Sequence, residues 1–94
     1  MLSEEYFRNA LGPELSAVSE LGLIVDAQVQ PLKPIQLLFP GLRELDLSHS
    51  LDLQITDIPQ LDRLESLILD SCGLTSLDGL YNFGSLLNLI VPNN

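Results

Sequence analysis

The chain has 94 residues, 46% of them hydrophobic, and thirteen acidic side chains against four basic ones give it a net charge of −9. That length holds one domain, and the apolar content excludes a disordered chain. The acidic field and the lack of any Lys/Arg cluster exclude nucleic acid as a partner and favour a neutral or basic protein.

No apolar run nears the roughly 18 residues that span a bilayer. Glu4 and Glu5 precede any basic residue, the wrong chemistry for a secretory signal, so no membrane partner is expected. The single cysteine, Cys72, has no internal disulfide partner, which fits a reducing, cytoplasmic location. A chain this short buries only roughly 60–65% of its unfolded surface, so its core is thin.

Residues 1–19 predict a helical N-terminal cap. Ser3 caps a helix whose first turn holds Glu4 and Glu5, where the dipole favours acid. Leu2 and Phe7 have the spacing of a hydrophobic staple. Phe7, Ala10 and Leu11 share one helix face with Tyr6 at its edge, and Gly12-Pro13 stops the helix. A second helical stretch is expected from Pro13 to about Glu20.

From residue 42 onward the chain repeats every 22 residues. Leu42-Leu45-Leu47, Leu64-Leu67-Leu69 and Leu86-Leu89-Val91 each fit L-x-x-L-x-L/V, and Ser50, Cys72 and Asn94 follow at equivalent polar positions. A fixed period of this kind marks stacked repeats. The repeats are 42–63, 64–85 and an incomplete 86–94. Counting back once more gives a degenerate repeat over 20–41, with Glu20 first, Leu23 and Val25 apolar and Gln28 at the polar position. Pro31 to Pro34 replace its regular return segment. In the repeat from Leu42, Asp52 occupies an apolar position, so a local backbone shift is expected; Ile55, Ile58 and Leu61 then have 3₁₀ spacing. The repeat from Leu64 is the most regular: Leu64, Leu67, Leu69, Cys72, Leu74, Leu77, Leu80, Phe83.

The segment "LESLILDSCGLTSLDGL" resembles the leucine-rich-repeat family in its 22-residue cytosolic class. The likeness covers 42–94 well, 20–41 loosely and 1–19 not at all. Ser50 and Gln28 at the Asn/Cys position, Asp52, and Val91 for Leu depart from it. Within the family, Leu67, Leu69, Ser71, Cys72, Leu74, Leu77, Asp78 and Gly79 resemble a ciliary subgroup needed for outer dynein arm assembly. That resemblance implies a scaffold or adaptor for dynein arm components in cilia or flagella.

The expected fold is an α/β leucine-rich-repeat solenoid, or horseshoe. Short parallel strands line the concave face, 3₁₀ or helical turns the convex face, and a helical cap covers the N-terminal end. Alternation places Leu45 and Leu47 in the core and Asp46 and Ser48 outside. Successive strands run the same way and need a crossover, which the rest of each repeat supplies. The polar residue after the strand satisfies backbone groups in the turn, so Cys72 is read as structural.

Outward strand residues form rows: Gly22, Glu44, Ser66, Asn88; then Ile24, Asp46, Ile68, Ile90; then Asp26, Ser48, Asp70, Pro92; with Ala27, His49, Ser71 and Asn93 beyond. Isoleucines beside acids make an apolar stripe with a polar rim, the pattern of a protein-binding surface; exposed β-branched residues that merely suit strands are the bland alternative. The candidate protein-binding residues are Asp46, Ser48, His49, Ile68, Asp70 and Ile90, with Ile68 and Ile90 as anchors and Asp46 and Asp70 as charge selectors.

The chain stops at Asn94, in mid-repeat. It is expected to be a fragment of a longer repeat protein, to pair end to end with itself through the uncapped last repeat, or to be marginally stable. His49, Ser48, Asp70 and Ser71 hold the makings of a Ser-His-Asp set. However, no G-x-S-x-G elbow or oxyanion glycines accompany them. Zinc, calcium and phosphate-loop spacings are missing too. No enzyme and no cofactor are therefore expected. A protein-interaction module is the leading reading, and a purely structural N-terminal piece of a larger repeat protein is the alternative.

Overall fold

The computed structural model describes residues 2–94. Helix α1 (Glu4–Leu11) begins where the Ser3 hydroxyl oxygen accepts the Tyr6 N–H at 3.1 Å. Glu4 also holds Arg8 at 2.8 Å across one exposed turn. Gly12, at φ 91°, ends the helix, a conformation that only glycine adopts without cost. Leu2 and Phe7 are buried, as a staple requires. The apolar face is narrower than Phe7-Ala10-Leu11 predicts: Ala10 and Leu11 are exposed. The second helical stretch shrinks to one 3₁₀ turn, Leu15–Ala17, which drops Leu15 into the core. Phe7 then stands edge-on to Phe39, ring centroids 4.8 Å apart, and so joins α1 to the repeats.

Four three-residue strands follow: β1 (Glu20–Gly22), β2 (Glu44–Asp46), β3 (Ser66–Ile68) and β4 (Asn88–Ile90). They form one open sheet in the order β1-β2-β3-β4, every pair parallel. Leu21, Leu45, Leu67 and Leu89 stand side by side in register. Leu45, Leu47, Leu67 and Leu69 have no exposed surface. At the entry to β2, β3 and β4, two successive N–H groups share one carbonyl of the preceding repeat: Arg43 and Glu44 on Ser19, Glu65 and Ser66 on Arg43, Leu87 and Asn88 on Glu65. One turn earlier, the Phe39, Leu61 and Phe83 carbonyls accept the N–H groups of Leu42, Leu64 and Leu86. The 22-residue period thus recurs in the hydrogen bonds as well as in the leucines.

The first repeat is framed differently from the count. Glu20, not Gly22, pairs with Glu44, and Leu21 pairs with Leu45. The repeat therefore reads Val18-Leu21-Leu23, two residues earlier than Glu20-Leu23-Val25. Gln28 is exposed in a turn, its N–H donating to the Asp26 carboxylate. By the same 24-residue offset Asp26 answers to Ser50, and the Val25 N–H beside it donates to Ser50 Oγ at 3.0 Å. The extra length of this repeat goes into helix α2 (Lys33–Leu38), which uses Pro34 in its first turn and buries Ile35.

The polar positions close the turns. Cys72 Sγ donates to the Leu47 carbonyl at 3.1 Å. Asn94 Oδ1 accepts from the N–H groups of Cys72 and Leu74, while Nδ2 donates to the carbonyls of Leu69, Val91 and Pro92. Burial pushes the Cys72 thiol above its ordinary pKa, which keeps it a donor. The backbone shift expected at Asp52 is of one residue: the left-handed position that Gly73 holds in the next repeat, φ 73°, falls here on Asp52, φ 51°, leaving Leu51 exposed and Leu53 buried. The returns carry 3₁₀ turns at Ile55–Asp57 and Leu80–Asn82. Leu77, placed in the core by the repeat pattern, is exposed.

Candidate protein-binding face

Strand alternation turns two rows of side chains outward. Registration makes the first row Glu20, Glu44, Ser66, Asn88 and the second Gly22, Asp46, Ile68, Ile90. Asp46, Ile68 and Ile90 are thus neighbours on adjacent strands, with Ile68 half-buried and Ile90 exposed. Ile24 does not join this row; it lies two residues beyond Gly22, 74% exposed. It borders a shallow hollow with Gly22, Asp46, Ser48 and His49.

Beyond the strands the backbone turns. His49, Ser71 and Asn93 hold φ 66°, 56° and 58°, the left-handed region that asparagine tolerates best. The turn lets the His49 N–H reach the Asp70 carbonyl (2.7 Å) and the Ser71 N–H the Pro92 carbonyl (3.1 Å). It also sets the acids. Asp46 Oδ1 accepts the Ser48 N–H at 2.9 Å, and Ser48 Oγ accepts the Asp70 N–H at 3.0 Å. Asp70 Oδ1 accepts from Asn93 Nδ2 and Ser71 Oγ, each at 2.9 Å. These two bonds, aided by the nearby His49, hold the Asp70 carboxyl below its ordinary pKa. No hydrogen bond among the described residues joins the His49 ring to Ser48, Ser71 or Asp70, so the imagined Ser-His-Asp set is not assembled.

Asn93, expected in the outer row with His49 and Ser71 but not among the candidate binding residues, belongs to this end of the face through its bond to Asp70. Its signal was present: it stands 22 residues after Ser71, and Ser71 22 after His49. Its effect is measurable. Asp70 gives stability that is fully present above its unfolded pKa of about 3.9 and is lost as pH falls through its lower folded value. Asn93→Gly keeps the left-handed backbone and removes the amide donor. It is expected to raise the Asp70 pKa in an NMR titration; an unmoved midpoint would discount the Asn93 bond.

A parallel sheet whose strands carry stacked leucines and end in a polar ladder is consistent with the leucine-rich-repeat class of interaction protein. Comparison with known proteins supports that class. The chain is 37% identical over 82 residues to leucine-rich repeat-containing protein 56 of Mus musculus and 35% identical over 82 residues to that of Rattus norvegicus. Each alignment takes in 86% of this chain but 15% of the curated relative, so the chain spans a small part of those proteins' length. No family model matches the chain, and no solved structure does.

Proposed function

We propose that this chain is a non-catalytic protein-interaction module, a few turns of a curved solenoid whose concave side is the strand face. One observation carries the reading. Asp46, Ile68 and Ile90 lie side by side on one outward row, with Asp70 kept ionised just beyond. Apolar anchors inside a charged rim are how protein interfaces are built. Ile68 and Ile90 act as anchors, and Asp46, Ser48, His49 and Asp70 select a neutral or basic partner. The resemblance to the ciliary subgroup extends the proposal to a scaffold for dynein arm components, in the cytoplasm or the cilium.

A second reading rests on the short span of the relatives covered: the segment is structural and stiffens a larger repeat protein. One experiment decides between the two. Ile68→Ala combined with Asp70→Lys, with unchanged circular dichroism, is expected to abolish affinity capture of partner proteins from a ciliated-cell extract. Truncating a central anchor and reversing a rim charge together reduce affinity by roughly 10-fold or more. Undiminished capture would favour the structural reading. Outer dynein arm subunits among the captured proteins would support the ciliary role, and their consistent absence would remove it.

A further inference from the structure

The outward face is not uniform across the sheet. Its β1–β2 half carries Glu20, Glu44 and Asp46, with Glu20 and Glu44 directly paired in register. Like charges facing each other across a strand pair are destabilising. Among the described residues the ion pairs are Arg8–Glu4 and Arg43–Glu65, and neither reaches these carboxylates. The β3–β4 half carries Ile68 and Ile90 in register, beside the uncharged Ser66 and Asn88. Between Glu20 and Ile24, Gly22 has no side chain, and this opens the hollow beside Asp46.

We infer that this face reads a partner segment in one direction: an amphipathic helix laid across the strands, its basic side chains over β1–β2 and its aliphatic side chains over β3–β4. This rests on the strand face being the binding surface, as proposed above, and adds the partner's chemistry and its polarity. Spacing selects a helix. Neighbouring strands lie roughly 4.8 Å apart, and helix positions i, i+4, i+7 and i+11 advance along the axis by about one turn, 5.4 Å, each. One side chain therefore meets each strand. An extended segment crossing the sheet places same-side residues about 6.6 Å apart and falls out of step within two strands.

A Lys or Arg at the first position fits the Gly22 hollow. Its aliphatic stem lies on Ile24, and its charged head is within the field of Glu20, Glu44 and Asp46. A second basic residue meets Asp46 from the next turn, and Leu or Ile side chains then meet Ile68 and Ile90. Partnering the Glu20–Glu44 carboxylates relieves their mutual repulsion, so the free chain is poised for this charge pattern.

The probe is a synthetic helical peptide with Lys at i and i+4 and Leu at i+7 and i+11, added to the isotopically labelled chain. A nitroxide at its Lys end is expected to broaden the amides of Glu20 and Glu44. The same label at its Leu end is expected to broaden Asn88 and Ile90. Glu20→Gln with Glu44→Gln is expected to weaken binding about 3-fold, as loss of exposed charge pairs does. Equal or reversed broadening overturns the direction while leaving the strand face as a binding surface. Unchanged affinity in the double variant likewise overturns the acidic half alone. If the peptide perturbs no strand-face amide, this inference falls, while capture with the Ile68→Ala and Asp70→Lys variant still decides the reading beneath it.

Discussion

Leu67→Ala is expected to remove about 2–5 kcal/mol of folding stability, the range for emptying a leucine-sized site in a packed core. Leu67 is fully buried at the centre of β3, with Leu45 on one side and Leu89 on the other in register. A repeat protein draws stability from the interfaces between turns, and this side chain belongs to two of them. A domain of this length holds only about 5–14 kcal/mol in total, so the midpoint of a urea titration moves far toward zero denaturant. Leu87→Ala is the control. Leu87 is 76% exposed, and its loss is expected to change stability by less than about 0.5 kcal/mol. Similar midpoints for the two variants would show that the leucine column is not the spine of the fold.

The spine was legible because its signal is long-range and redundant. Leu45, Leu67 and Leu89 recur at one interval, and the flanking residues at the first, sixth and ninth positions repeat that interval independently. The first repeat was misplaced because its frame came from counting back 22 residues, whereas β1 and β2 are 24 apart. The motif itself is in the chain as Val18-Leu21-Leu23. Helix α2 absorbs the added length, and crossovers tolerate such insertions because they lie outside the strand ladder. The shift matters for the face: it replaces Gly22 with Glu20 in the first row and removes Ile24 from the second.

The return segments were harder to read for a different reason. Strand register is set by many backbone bonds between repeats, but a 3₁₀ turn is closed by bonds within itself, such as Ile58 N–H to Ile55 O. The left-handed residue comes one position later in the repeat from Leu42 (Asp52) than in the repeat from Leu64 (Gly73), so Leu53 rather than Asp52 fills the core position. No periodicity in the sequence marks such an exchange. Cys72 shows the opposite case. Its place in the Ser50–Cys72–Asn94 series indicated a turn-closing donor, and its thiol donates to the Leu47 carbonyl. The 24-residue offset puts Asp26 in this series in the first repeat, a position that counting back 22 residues passed over, and Ser50 of the next repeat accepts the neighbouring Val25 N–H.

Gly79→Ala is expected to cost about 1–3 kcal/mol, the range for holding a side-chain-bearing residue in a disfavoured backbone region. Gly79 opens the Leu80–Asn82 turn at φ 100°, ψ −10°, and its carbonyl accepts the Asn82 N–H at 3.0 Å. A methyl group there would lie 3.2 Å from Ile55 Cγ2, 3.3 Å from Thr56 Cγ2 and 3.4 Å from the Thr56 nitrogen. The Thr56 side chain is at the surface and has room to give. Ile55 is in the core, and the Thr56 nitrogen belongs to the backbone of the preceding return segment. The strain therefore falls on the contact between two stacked returns, the side of the fold that the strand ladder does not hold. Gly84→Ala separates this from a general effect of losing glycine: nothing lies within 4 Å of its added methyl, and its backbone is outside the left-handed region. There the smaller entropy of the unfolded chain is expected to leave stability equal or higher by about 0.4–1 kcal/mol. Denaturation midpoints that fall for Gly79→Ala and hold for Gly84→Ala would locate the tight packing between returns. Equal midpoints would show that the returns stack loosely and that the strand side alone holds the repeats together.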